Sequence, residues 1–316
     1  MGKERIVIIT GANSGIGKAA AHRFAMEGYT VIMACRNLEK SQLVQQEIKE
    51  LSSNDRIDLM KLDMGSFESI REFCSVFKEK YERLDILIHN AAYFNHGSKF
   101  RLSPNNIELT FATNVFGPYL MTELLLGHLK KSQDARILNA SSNIVKHFFD
   151  PKRKINFNKL IGEMEDTKGF SVYDMYCQSK MGLILLTFKM AKEYDKYGIK
   201  VNALQINGAK MSKNTLQKLT PGWRFIARIQ NLYFPPAEKM SEIYFHMCTS
   251  EHFKNITGKL INDKKEIMKR GEENPGLTMQ VKQLIRSHYY PVYADQHENQ
   301  DEMWSLCQEV TIQVDY

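Results

Sequence analysis

Short apolar runs alternate with amphipathic segments along most of the chain. The run Ile6–Thr10 is continuously apolar and β-branched, which predicts a strand buried on both faces of a sheet. Glycines follow at once, and then Ile16, Ala20 and Phe24 recur at four-residue spacing. This spacing predicts a helix whose apolar stripe packs against that sheet.

Further apolar runs repeat this alternation of strand and helix. Such an order predicts an α/β fold, a doubly wound parallel sheet of the Rossmann type whose ligands bind at the carboxyl ends of the strands. The predicted strands are 6–10, 29–34, 57–62, 84–88, 136–140 and 199–206. The predicted helices are 15–28, 38–50, 66–81, 107–129 and 172–194.

Other segments are less regular. Asn114 and Gly117 interrupt the apolar pattern of 107–129, which predicts one long helix or a pair. An insertion rich in Lys, Asn and Phe spans 143–170, and the aromatic residues and prolines of 223–236 predict an apolar cover rather than sheet. We expect one domain, with a nucleotide-binding and catalytic part at 1–265, a substrate loop at about 211–239 and a C-terminal helical extension at 266–316.

Composition narrows the class of protein. The 316 residues are 43% hydrophobic, enough for a full core, and the net charge of +7 comes from basic residues interspersed with acids. The basic cluster at 146–159 is too short to indicate nucleic acid. Five cysteines without a Cys-x-x-Cys pair indicate neither zinc nor disulfides, so we expect a reducing, cytoplasmic location. No apolar run is long enough for a transmembrane helix, and the first strand begins too early for a signal peptide.

The glycine turn is the first candidate binding site. Gly11, Gly15 and Gly17 separate the first strand from its helix, with the spacing Gly-x-x-x-Gly-x-Gly. Alone, such a triplet can merely turn a corner. Between a buried strand and a helix, it lets backbone N–H groups and the positive helix end approach a pyrophosphate, so we predict a dinucleotide ligand.

The ends of the second and third strands bear on the choice of dinucleotide. An acid at the end of the second strand binds a ribose 2′-hydroxyl, whereas an arginine suits a 2′-phosphate. This chain has Arg36 and no acid there, which favours NADP over NAD, the alternative being an ordinary exposed strand end. Asp63, after the third strand, can accept a hydrogen bond from an adenine amino group.

Tyr176 and Lys180 are the candidate chemistry. Four residues apart on a helix, they face the same way. A phenol with a pKa near 10 is a poor base, and a neighbouring ammonium favours its ionised form; lowering this pKa by about 3 units needs roughly 4 kcal/mol. The same spacing also occurs by chance on surface helices.

The joint pattern closely resembles the short-chain dehydrogenase/reductase family over about residues 5–265. Thr10 to Gly17 match its cofactor turn, Asp63 its adenine-side acid, and Asn90-Ala91-Ala92 its Asn-Ala-Gly motif. The chain is most similar to the retinol-dehydrogenase-like group. Four features carry this similarity: residues 34–37, the long gap between Ser142 and Tyr176, residues 257–259, and a terminal helix around 304–307. Two departures are Ala92 for the usual glycine and Asn207-Gly208 for the usual Pro-Gly.

The resemblance implies a catalytic tetrad of Asn114, Ser142, Tyr176 and Lys180. Tyr176 would donate a proton to a carbonyl oxygen that Ser142 steadies, while Lys180 lowers the phenol pKa and holds the nicotinamide ribose. Asn114 would support Lys180 through a water, and no metal is implied. The expected cofactor-binding residues are Gly11, Asn13, Ser14, Gly15, Ile16, Gly17, Arg36, Asp63, Asn90, Ala91, Tyr176, Lys180 and Gly208.

The predicted function is therefore an NADP-dependent oxidoreductase that interconverts a lipophilic alcohol and its carbonyl, such as a retinoid, steroid or fatty aldehyde. The alternative is a nucleotide-binding regulatory or scaffold protein on the same fold. The apolar outer stripes of the helices that carry Asn114 and Tyr176 predict a homodimer, unless the C-terminal extension covers them. Peripheral membrane contact is left open.

Overall fold

A seven-stranded parallel sheet forms the centre of the molecule, with the strand order β3-β2-β1-β4-β5-β6-β7. The computed structural model describes residues 5–94, 99–157, 160–162, 170–210, 216–217 and 221–312. All six predicted strands are present, and the order confirms the doubly wound sheet. The strands are β1 Ile6–Thr10, β2 Thr30–Cys35, β3 Ile57–Lys61, β4 Ile86–His89, β5 Arg136–Ser142, β6 Lys200–Ile206 and β7 Lys259–Ile261.

Helices cover both faces of this sheet. Asn37, Ser66 and Ser171 begin three of them, each accepting a hydrogen bond from the backbone N–H three residues later. The α-helices are α1 Gly15–Met26, α2 Leu38–Ser52, α3 Phe67–Lys80, α4 Leu109–Phe111, α5 Gly117–Leu129, α6 Val172–Tyr194, α7 Pro221–Tyr233, α8 Ala237–Thr249, α9 Leu277–Ile285 and α10 His297–Ile312.

The core lies on both sides of the sheet because successive side chains of a strand point to opposite faces. Ile8 belongs to the larger apolar cluster, which contains residues of α3, α5, α6 and α10. Val7 and Ile9 belong to a second cluster with residues of α1 and α8. The continuously apolar first strand is thus buried on both faces, as predicted.

The segment 107–129 forms neither a single regular helix nor a separated pair. A π-helical turn, Ala112–Phe116, joins α4 to α5 without a break, and Asn114 lies within it. Such turns insert one extra residue into a helix and are frequent at functional sites. Gly117 does not interrupt the helix either, since its backbone is helical with φ −61° and ψ −51°. A side chain at Gly117 would collide with the Met64 carbonyl oxygen.

The aromatic segment near the sheet edge is helical. Phe225 and Tyr233 lie on α7 and are 66% and 82% exposed. The prediction that these aromatic residues form an apolar cover is therefore wrong for these two. Phe234, by contrast, packs on Gly208. Two of its ring carbons lie only 2.7 Å from the position that a Cβ on Gly208 would occupy. Residues 211–215 and 218–220 of the predicted substrate loop, and 158–159 and 163–169 of the predicted insertion, lie outside the described residues.

The C-terminal extension packs onto the domain through its last helix. Strand β8, Lys269–Arg270, pairs in parallel with β9, Tyr289–Tyr290, on either side of α9. The α10 residues Met303 and Cys307 are fully buried in the larger cluster, between α5 and α6. Among the described residues, none of the helices combines the length and the apolar character that a membrane span requires. All five cysteines are buried and unpaired.

Candidate active site

The glycine turn between β1 and α1 packs tightly against the loop after β4. Gly11 has φ +67° and donates from its backbone N–H to the Ala34 carbonyl, 2.8 Å away. A Cβ on Gly17 would collide with the Gly11 carbonyl oxygen and lie 2.5 Å from Asn90 Nδ2. The absence of side chains here therefore brings the start of α1 directly against the turn.

The opposite side of the turn is open. Ser14 is the exposed N-cap residue of α1, and its hydroxyl makes no capping bond. A Cβ on Gly15 would meet nothing within 4 Å, and Ile16 is half-buried against the second core cluster. Asn13 donates from Nδ2 to Ser41 Oγ, 3.0 Å away on α2. The turn thus presents a helix N-terminus to solvent with its base held rigidly, as an anion site requires.

Asn90 and Ala91 hold the turn in place from β4. Their backbone N–H groups donate to Thr10 Oγ1 at 3.0 and 2.9 Å, and Asn90 Nδ2 donates to the Thr10 carbonyl at 2.9 Å. The Asn90 Oδ1 accepts from the hydroxyl of Tyr244, a fully buried residue of α8. Asn90 and Ala91 therefore stabilise the glycine turn through hydrogen bonds to Thr10, the residue before it.

Two side chains flank the turn at the ends of the adjacent strands. Arg36 directly follows β2, is exposed and makes no ion pair with another described residue. Asp63 follows β3; its Oδ1 accepts from Gly65 N at 3.0 Å, and its second oxygen has no hydrogen-bond partner within the described ranges. A guanidinium and a carboxylate oxygen are therefore available at the carboxyl ends of β2 and β3.

Tyr176, Ser142 and Lys180 come together where the end of β5 meets the first turns of α6. The Lys180 side chain is 3% exposed; its Nζ donates to the Ala140 carbonyl at 2.7 Å and lies 5.6 Å from the centre of the Tyr176 ring. Burial lowers the pKa of Lys180 to about 8. Burial raises the pKa of Tyr176 to about 12, although a hydrogen bond with the Ser142 hydroxyl opposes the shift. The phenol is therefore protonated at neutral pH.

Asn114 connects the π-helical turn to two neighbours. Its Oδ1 accepts from Tyr93 N at 2.7 Å, and its Nδ2 donates to the Tyr93 carbonyl and to Ser179 Oγ at 3.1 and 3.0 Å. The Ser179 hydroxyl donates in turn to the Tyr176 carbonyl at 2.9 Å. The amide has only two N–H groups, and both are used, so this side chain fixes the loop after β4 and the turn of α6 that carries Tyr176.

Asn207 and Gly208 connect the end of β6 to the C-terminal extension. Asn207 Nδ2 donates to Ser287 Oγ at 3.1 Å, and its carbonyl accepts from Asn143 Nδ2 at 3.2 Å. Gly208 lies under the Phe234 ring. Asn207 therefore ties this loop to both the residue after Ser142 and the segment after α9.

Comparisons with known proteins show the family to which the chain belongs. The family model described as short chain dehydrogenase matches residues 5–149. Retinol dehydrogenase 13 of Mus musculus is 32% identical over 83% of this chain and 76% of that protein. Retinol dehydrogenase 12 of Bos taurus is 32% identical over 83% of this chain and 78% of that protein. The chain belongs to the short-chain dehydrogenase/reductase family.

Within this oxidoreductase family, the chain falls in the retinol-dehydrogenase-like group. A solved structure shares the short-chain dehydrogenase fold with a TM-score of 0.63 and 22% identity, covering 82% of this chain and 97% of the other. That protein is a short chain dehydrogenase from Shigella flexneri 2a in complex with NADP.

Several residues of this candidate site are not predicted from the sequence. The Phe94 ring lies against that of Tyr176, with centroids 4.5 Å apart at 34°, and is 42% exposed. Ser179 and Tyr244 also bind site residues, but neither carries a periodic or motif signal. For Phe94, its closeness to the Asn-Ala-Ala motif was the available signal.

A cleft of about 670 Å³ opens beside the site. It lies between the segment 143–151 and α9 with the residues before it. Its lining begins at Asn143, the residue after Ser142, and includes His147, Gln280 and Leu284. The C-terminal extension therefore forms one wall of this cleft, whose lining reaches Asn143 but contains none of Ser142, Tyr176 and Lys180.

Proposed function

We propose that this protein interconverts an alcohol and its carbonyl compound with NADP(H), acting on a lipophilic substrate. The observation that carries the proposal is the meeting of Tyr176, Ser142 and Lys180 at the carboxyl end of β5, where ligands of such sheets bind. When bound, the nicotinamide supplies or accepts the hydride.

The open glycine turn supports a dinucleotide. Its rigid base and exposed helix N-terminus fit a pyrophosphate, with Gly11, Asn13, Ser14, Gly15, Ile16 and Gly17 forming the turn. Asp63 has a carboxylate oxygen for the adenine amino group. Lys180 would bind the nicotinamide ribose, and the loop at Gly208 would contact the nicotinamide ring.

NADP is favoured over NAD because Arg36 faces solvent beside the turn without an ion pair among the described residues. A guanidinium binds a phosphate through two parallel hydrogen bonds, and no carboxylate stands there to bind a ribose hydroxyl. The structural relative from Shigella flexneri was solved with NADP, which supports a nicotinamide cofactor on this fold.

The proton moves through Tyr176. Its raised pKa keeps the phenol protonated at neutral pH, so the hydroxyl can donate to a carbonyl oxygen as the hydride reaches the carbon. Ser142 donates a second hydrogen bond to the same oxygen. In the oxidation direction the phenol must lose its proton first, and the ammonium of Lys180 stabilises the resulting phenolate.

A lipophilic substrate is supported by the surroundings of the phenol. Phe94 lies 4.5 Å from Tyr176, ring to ring, which gives the reacting group an apolar neighbour. Two curated relatives bear the name retinol dehydrogenase, and retinol is a lipophilic alcohol. These points favour an extended apolar aldehyde or ketone over a small polar one.

The test is NADPH oxidation with a panel of lipophilic aldehydes and ketones by the wild type, Tyr176→Phe and Tyr173→Phe. Tyr176→Phe should lower kcat by about 10²–10⁴-fold, since it removes only the proton donor, while the NADPH dissociation constant stays within about twofold. Tyr173 lies on the same helix but is exposed and bonds to His147 instead, so its variant is the matched control. NADPH binding without turnover of any carbonyl would favour the regulatory alternative, whereas full activity of Tyr176→Phe would show that the phenol is not the proton donor.

A further inference from the structure

The helices α7 and α9 expose apolar stripes with identical spacing. On each helix, three further apolar residues lie four, seven and eight positions after the first one. This spacing places all four on one face of the helix. These residues are 45% to 82% exposed. We call them the apolar stripes: Phe225, Ile229, Leu232 and Tyr233 on α7, and Leu277, Val281, Leu284 and Ile285 on α9.

The α9 helix is held by polar contacts, with its apolar side outward. Among the described side chains of α9, Gln283 is the buried one. The Gln283 Oε1 accepts a hydrogen bond from Glu272 N at 2.7 Å. Lys146 Nζ donates to the Leu284 carbonyl at 3.1 Å. A helix that buries a glutamine and exposes four large apolar side chains has the arrangement expected of a surface that binds an apolar medium.

The two helices end at the same loop. Phe234, directly after α7, packs on Gly208, while Ser287, two residues after α9, bonds to Asn207. The C-terminal ends of both helices therefore lie at the loop after β6, which we take as the mouth of the candidate active site because its Asn207 carbonyl accepts from Asn143, the residue after Ser142.

The charge around the stripes distinguishes among occupants. The sequence has no acidic residue in 207–237 or in 274–294, and Arg228, Lys282 and Arg286 are exposed on or directly after the two helices. A second copy of this chain would bring these cations against each other. An anionic lipid surface instead pairs with the cations and accepts the apolar side chains.

We propose that α7 and α9 form a docking surface for an anionic lipid membrane, which brings the mouth of the site to the bilayer. The surface rests on the stripes and their charge, so membrane binding does not depend on the proposed enzyme activity. Delivery of a lipophilic substrate from the bilayer does rest on that activity.

The experiment is flotation of the full chain with vesicles of phosphatidylcholine, alone or mixed with phosphatidylserine, without cofactor or substrate. We expect binding to the mixed vesicles that weakens as salt is raised. Replacing two stripe residues, as Leu232→Ser with Tyr233→Ser or Leu284→Ser with Ile285→Ser, should weaken it by about tenfold or more because the apolar insertion is lost. Lys282→Gln with Arg286→Gln should weaken binding to the vesicles that contain phosphatidylserine and leave any binding to pure phosphatidylcholine vesicles unchanged.

The matched control is Leu43→Ser with Leu51→Ser. These two leucines of α2 are 74% and 65% exposed but lie away from the stripes, so their variant should bind like the wild type. Absence of wild-type binding to the mixed vesicles, or an equal loss in the control, would overturn the proposal. A wild type that dimerises in solution, with stripe variants that are monomeric, would overturn it in favour of a second copy.

Discussion

Arg36 is exposed and lies two residues after Ala34, whose carbonyl accepts a hydrogen bond from Gly11 N in the glycine turn. Arg36→Asp replaces a cation suited to a 2′-phosphate with an anion that repels it and accepts from a ribose hydroxyl. The ratio of the dissociation constants for NADP and NAD, measured by titration, should shift toward NAD by about tenfold or more. Lys78→Asp on α3 makes the same change of charge elsewhere, so an equal shift in that variant would assign the effect to net charge.

Lys180 makes stability depend on pH with a definite sign. Its pKa is about 8 in the folded chain, against a usual value of 10.5, so between these values the unfolded state binds more protons. The free energy of unfolding should therefore rise across this pH window, by about 3 kcal/mol at most. Urea unfolding of the wild type and Lys180→Met tests this. The difference between the two curves should change between about pH 8 and pH 10.5, and a constant difference contradicts the buried ammonium.

At this scale, the sequence predicts residues whose role follows from local spacing. Tyr176 and Lys180 share a helix face because they are four apart, and the structure places the ammonium 5.6 Å from the ring centre. Phe94 and Tyr244 reach the site from separate elements, so only the tertiary structure brings them there. The bond from Asn207 to Ser287 spans eighty residues and has no local signal either.

The helices and strands also divide into those that the sequence predicts and those that it does not. Strands and helices with a clear period were predicted closely, and Val172–Tyr194 matches its helix residue for residue. The π-helical turn Ala112–Phe116 was missed because it keeps the apolar pattern of a helix and differs by one residue per turn. The sequence predicts an apolar cover at 223–236, but the helix Pro221–Tyr233 exposes Phe225 and Tyr233, since apolar periodicity alone does not show whether a face points inward or outward.

The junction of β1 and α1 depends on a residue without a side chain. Gly17→Ala would place a methyl against the Gly11 carbonyl, and backbone cannot move aside cheaply. We expect a loss of about 1–3 kcal/mol in the free energy of unfolding, and weaker NADPH binding as the turn shifts. Chemical unfolding and cofactor titration measure the two effects.

Gly127→Ala is the control for this substitution. Gly127 lies inside α5, and a Cβ there meets nothing within 4 Å. Alanine should stabilise the helix by about 0.5–1 kcal/mol and leave cofactor binding unchanged. A Gly17→Ala variant as stable as the wild type would show that the turn adjusts without cost.

The molecule as a whole uses its last helix to cover a face that the sequence analysis assigned to a homodimer. Trp304 of α10 packs edge-on against Tyr119 of α5 and Tyr194 of α6, with ring centroids 5.1 and 6.2 Å apart. Lys189 of α6 forms an ion pair with Asp301 at 2.8 Å. The apolar outer stripes of α5 and α6 are thereby buried within one chain.

We therefore predict a monomer, in place of a dimer formed through α5 and α6. Light scattering at micromolar concentration should give the mass of one chain, since α10 already occupies the surface that a partner would need. A dimer that persists at this concentration would show that another face associates or that α10 is displaced.

The strength of this covering can be measured at Met303. This side chain is fully buried, and its terminal methyl lies 3.0 Å from where a Cβ on Gly182 would be, so α10 and α6 approach closely here. Met303→Ala leaves a cavity and should lower the free energy of unfolding by about 2–5 kcal/mol. Ser305→Ala, at an exposed position of the same helix, should change it by less than about 0.5 kcal/mol. If both variants are as stable as the wild type, α10 contributes little to the fold, and the face beneath it is available to a second copy of the chain.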